Sequence, residues 1–231
     1  MARPYAADDP VATAAVPKRW NMNSPTRITS VAGNTQTERF GATVSTPSTA
    51  DSTEIAGVMM ESPKNSDAPI TPSANIHSEL PLLEKYWEIP NVHCGIDPEF
   101  SMKDGIHPGK KIGTYDAADV NYVSGYLANV VRKYHLPPKI FIVHRFTRKM
   151  LTNYQNIKLH PEIQFVMDMD GFGPPDLKTG TYRDYIYHDP VQFTGFKLFY
   201  KNDSWLPPHH MLTPEEILKI YKPHPIYIQY Q

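Results

Sequence analysis

Five short apolar runs, each closed by polar residues, mark the last two-thirds of the chain. They are VHCGI (92–96), KIFIVH (139–144), IQFVMD (163–168), FTGFKLF (193–199) and IYIQY (226–230). Runs this apolar, rather than alternating with polar residues, predict strands covered on both faces, as in parallel sheets. Segments with helical spacing lie between them. In HSELPLLEKYWEIP, Ser78 can cap a helix carrying Leu82, Leu83 and Tyr86. In DAADVNYVSGYLANVVRKYHL, Val120, Val123, Leu127, Val130 and Val131 form a stripe, Asp116 supplies the N-cap, and LPPK ends the helix. TRKMLTNYQN and LTPEEILKIYK predict two more helices. Strands alternating with helices predict parallel β/α units. The fold class is therefore α/β: an open sheet or part of an α/β barrel, with about five parallel strands.

The first 75 residues read differently. They are rich in Ser, Thr, Pro and Ala, and Tyr5, Trp20 and Phe40 are their only aromatic residues. Such a composition buries too little apolar area to offset the entropy of ordering. Two regions are expected: a low-complexity, mostly disordered leader over 1–75, and an α/β unit over 76–231.

Polar residues recur where the strands end. Asp97 and Glu99 follow the first, His144 and Arg145 close the second, and Asp168 and Asp170 close the third. Lys197 and Tyr200 belong to the fourth, and Gln229 and Tyr230 to the fifth. In parallel β/α folds these ends share one rim, where active sites form. Asp168 and Asp170 are two apart on a strand, so both should leave one face while Phe165, Met167 and Met169 occupy the other. Lys197 lies inside an apolar run and needs an acidic partner.

Bulk properties narrow the choice. With a net charge of −1 over 231 residues the chain lacks the basic surface of a nucleic-acid binder. The single cysteine, Cys94, excludes an internal disulfide. No apolar stretch reaches the roughly 20 residues of a membrane span, and Asp8 and Asp9 interrupt any export signal. GIHPGKK lacks phosphate-loop spacing, GFGPPD lacks the third glycine of a dinucleotide fingerprint, and no nucleophile-elbow serine is present. Nothing in the sequence calls for an organic cofactor.

From about residue 76 the chain resembles a family of bacterial secreted or lipoprotein-like proteins with an α/β barrel of glycoside-hydrolase type. The resemblance runs through ELPLLEKYW, NVHCGIDPEFSM, HPGKKIGTYDAADVNYVSGYLANVV, LPPKIFIVHRFT, VMDMDGFGPP, FTGFKLFY and YIQYQ. It implies a partial barrel of TIM type and a secreted or cell-envelope setting. The lead-in NSDAPITPSANIHS departs from that pattern, which implies the C-terminal part of a barrel behind an unrelated leader.

Two functional expectations follow. One is a hydrolase of glycosidic bonds, with carbohydrate as its partner. Glu99 is then the proton donor, Asp168 or Asp170 the second carboxyl and Asp97 its orienter, while His144, Arg145, Lys197 and Tyr200 bind substrate. A divalent metal held by Asp97, Glu99, His144 and Asp168 is a variant of it. The other is a non-enzymatic envelope binding protein, or an inactive barrel remnant, whose acids form a structural ion-pair network. The spacing of the residues does not fix an oligomeric state.

Overall fold

The structure is a computed structural model that describes residues 28–30, 35–37, 42–45, 56–60, 75–104, 106, 109–204 and 210–231. Four short strands come first: Ile28–Ser30 (β1), Thr35–Thr37 (β2), Ala42–Ser45 (β3) and Ala56–Met60 (β4). They fall where a mostly disordered leader was expected. The rest of that stretch, up to residue 74, lies outside the described residues. AGVMM (56–60) is a short apolar run that the composition of its surroundings conceals.

Helix Ile76–Glu79 (α1) is capped by Asn75, not by Ser78. The Asn75 side chain accepts from the His77 and Ser78 amides, and Ser78 Oγ returns a bond to the Asn75 backbone. A tight 3₁₀ turn, Leu80–Leu83, leads into Glu84–Trp87 (α2), and the Trp87 indole donates to the Leu80 carbonyl at 3.1 Å. Strand Val92–Ile96 (β5) follows, then the two-residue Tyr115–Asp116 (β6) and the long helix Ala117–Tyr134 (α3). Asp116 caps α3 as expected, and Asp119 returns the bond at 2.8 Å.

Strand Lys139–Arg145 (β7) is next. The helix expected over TRKMLTNYQN is absent. That segment forms two 3₁₀ turns around Leu151–Thr152 (β8), which pairs with β6. Tertiary contacts override local propensity there: Thr152 and Asn153 both donate to Asp116, and buried Met150 and Leu151 are adjacent rather than helically spaced. Strand Ile163–Met169 (β9), helix Pro175–Tyr182 (α4), strand Phe193–Leu198 (β10), helix Pro214–Ile220 (α5) and strand Tyr227–Tyr230 (β11) complete the chain.

Among the described residues one sheet has nine strands in the order β1-β11-β10-β9-β7-β5-β4-β3-β2. The five strands expected from the sequence are parallel neighbours in that sheet. They curl into half of a barrel. The helices bury the outer face. Val120, Val123, Leu127 and Ala128 of α3 join Phe141, Val143, Phe165, Met167, Met169 and Phe196 in the main core. Among the described residues the inner face has a small apolar cluster, Ile140, Ile142, Val166 and Tyr227 with Phe193 against it. No helix among the described residues is long and apolar enough to cross a membrane.

Candidate functional site

The inner face turns from apolar to charged toward the carboxyl ends of the strands. In-register pairing explains why distant residues meet there. His144 is level with Asp168, Asp168 with Gly195, and Gly195 with Tyr227. One position past the Ile96–Val143 rung, Asp97 comes level with His144. One position past the Met169–Phe196 rung, Asp170 comes level with Lys197. Asp168 and Asp170 share this face and Phe165, Met167 and Met169 the opposite one, as a two-residue repeat requires. Asp97, His144, Asp168, Asp170 and Lys197 are all buried.

Asp170 is the hub. Its Oδ2 accepts from His144 Nδ1 at 2.8 Å, and its Oδ1 meets Lys197 Nζ at 2.7 Å. Burial alone would raise its carboxyl, but His144 and Lys197 outweigh that and hold it below the usual range. Desolvation pulls Lys197 down, and Asp170, helped by Asp97 and Asp168, more than reverses the effect. The two groups therefore form a buried ion pair with an imidazole against one side.

Asp168 has the opposite surroundings. It is 0 % exposed, and neither carboxyl oxygen has a hydrogen-bond partner. The nearest basic atom is His144 Nδ1, 3.8 Å from Oδ2. Burial, then the charge of Asp170, pushes its carboxyl well above the usual range. Gly195 makes the placement possible, because a Cβ there would run into Asp168 Oδ1. Asp97 is also raised, by burial and then by Asp170 and Glu99, although its side chain accepts the Glu99 amide at 3.1 Å.

The remaining expected site residues lie elsewhere. Arg145 points away from the inner face. It is buried against Asp189 at 2.8 Å and donates to the carbonyls of Thr147, Tyr185 and Arg148. Glu99 sits on the turn after β5, half-buried, in a cleft of about 230 Å³ shared with Phe100, Gly109, Lys110, Lys111 and Ile112. Tyr200 is exposed beyond β10 and stacks on Tyr230 with ring centres 5.8 Å apart. Asp97, His144 and Asp170 each offer one ligand atom within 4.8 Å of the other two, the closest approach to a metal-holding group among the described residues.

No protein-family model, curated protein or solved structure matches the chain. The residue that sequence reasoning overlooked is Gly195. Its signal was present, since a glycine inside an apolar strand marks a close approach by a neighbour.

Proposed function

We propose that the chain is a hydrolase of glycosidic bonds, working through Asp168 and Asp170. The observation that carries this reading is the unequal surroundings of two carboxyls on one strand. Asp170 is engaged on both oxygens by Lys197 and His144, while Asp168 is buried without a hydrogen-bond partner. Glycoside hydrolysis needs such a division, one carboxyl giving a proton and the other working as the anion. Asp168 takes the donor role and Asp170 that of nucleophile or base. Lys197 and His144 orient Asp170, and Glu99, on the turn beside Asp97, is the second candidate donor. The location at the carboxyl ends of parallel strands agrees with the reading, as does the resemblance to barrel proteins of glycoside-hydrolase type.

The competing reading is a structural ion-pair network. Turnover of a panel of nitrophenyl glycosides by the full chain, measured beside urea denaturation, separates the two. The hydrolase reading expects turnover that Asp168→Asn abolishes without loss of stability. Retained turnover in Asp168→Asn with loss in Glu99→Gln moves the donor role to Glu99. Absence of turnover across the panel, with matched stability losses in both variants, supports the structural network.

A further inference from the structure

We propose that the carboxyl end of the inner face binds a divalent cation, with Asp97, His144 and Asp170 as ligands and Asp168 facing the ion from the remaining side. The first support is convergence. Ligand atoms of the three residues lie within 4.8 Å of one another, although they come from the ends of three strands. Ligands about 2.1 Å from one ion lie at most about 4.2 Å apart, so closing on it asks for a contraction of less than about 1 Å.

The second support is Asp168. Both of its oxygens are buried without a hydrogen-bond partner, and Oδ2 points toward the His144 nitrogen that also meets Asp170. Buried carboxyl oxygens are costly to leave unsatisfied. Gly195 keeps the space beside Oδ1 clear of a side chain, so the strand is built to admit this carboxyl.

The third support is charge. Three buried carboxyls, Asp97, Asp168 and Asp170, face one ammonium, Lys197. Lys178 and Arg145, the other buried cations of this end, are committed to Asp203 and Asp189. Ionised together beside a neutral His144, the three carboxyls are short of two positive charges, which one divalent ion supplies. Lys197 takes Oδ1 of Asp170, and an ion that replaces the proton shared by Oδ2 and His144 Nδ1 can hold that carboxylate together with the ammonium. Several carboxylates with one imidazole and no thiolate suit Mn²⁺ better than softer ions.

Binding is read without a substrate, so this inference stands or falls separately from the hydrolase reading. The full chain, stripped with EDTA and dialysed, is titrated with Mn²⁺ while the electron paramagnetic resonance signal of the free ion is followed. One ion per chain is expected, with a thermal midpoint that climbs with Mn²⁺ and falls back with EDTA. Asp97→Asn and Asp170→Asn should each weaken binding by about tenfold or more, and Asp168→Asn should weaken it as well. Lys197→Met should tighten it, because it removes a competing cation. If Asp170→Asn fails to fold, the Asp97 and Asp168 variants carry the test. Absence of bound Mn²⁺ at about 1 mM, a weak affinity by the standard of protein sites, overturns the proposal. So does an affinity unchanged in both Asp97→Asn and Asp168→Asn.

Discussion

Acidification should loosen the start of the barrel sheet through His93. Its Nδ1 accepts the Ile140 amide at 3.0 Å, so a side chain takes the place of a strand–strand bond between β5 and β7. That bond requires a neutral imidazole. Burial, and secondarily the charge of Lys139, lowers His93 from 6.5 to about 4. In the unfolded chain the ring takes its proton near 6.5, and in the folded chain only near 4. The stabilisation is therefore complete above 6.5 and drains away as the pH falls toward 4. At about 1.4 kcal/mol per tenfold difference in proton affinity, the whole effect is about 3 kcal/mol. The assay is urea denaturation at several pH values for the native chain and for His93→Gln, which keeps an acceptor for the Ile140 amide but does not titrate. Comparing the two cancels the titration of the other acids. The native chain should lose about 3 kcal/mol more than the variant between pH 6.5 and 4. Parallel curves for the two proteins refute the reasoning.

Two further predictions concern the charged cluster, both measured in EDTA. Asp170→Asn strands Lys197 in a buried site and should cost about 3–5 kcal/mol in chemical denaturation, whereas Asp168→Asn removes a carboxyl with no partner and should leave stability unchanged or raise it; equal losses in both would defeat the distinction. Gly195→Ala drives a methyl group against Asp168 Oδ1 and should lower the thermal midpoint, with much of the loss restored when Asp168→Gly is added; additive losses would mean that the two positions are not in contact.

Five of the sheet's nine strands among the described residues were legible because they read as apolar runs between prolines, glycines and acids, whereas β1 to β4 fall in the stretch expected to be disordered. The Asp97–His144–Asp168 row was legible for the same reason, since strand ends of one hand share a rim. What escaped the sequence depends on contacts distant along the chain. PDLKTGTY carries a glycine and two threonines, poor helix formers, yet it forms α4. Buried Lys178 anchors it through the Gly171 and Lys197 carbonyls and Asp203. Arg145 follows His144 directly, and the strand repeat puts it on the other face, where Asp189 meets it. Lys197 was seen to need an acid, but only register singles out Asp170.

Asp168 and Gly195 constrain each other, with Val166 and Tyr227 also lining the gap at 195. Strand pairing sets them side by side, and the missing side chain at one position is the room occupied by the carboxyl at the other. A relative that gains any side chain at 195 is expected to have given up the acid at 168, or to have moved its strand. Two letters, 27 positions apart in the sequence, thus act as a single inherited unit. Reading them together in a raw sequence sorts relatives that keep this carboxyl from those that have lost it, before any assay is run.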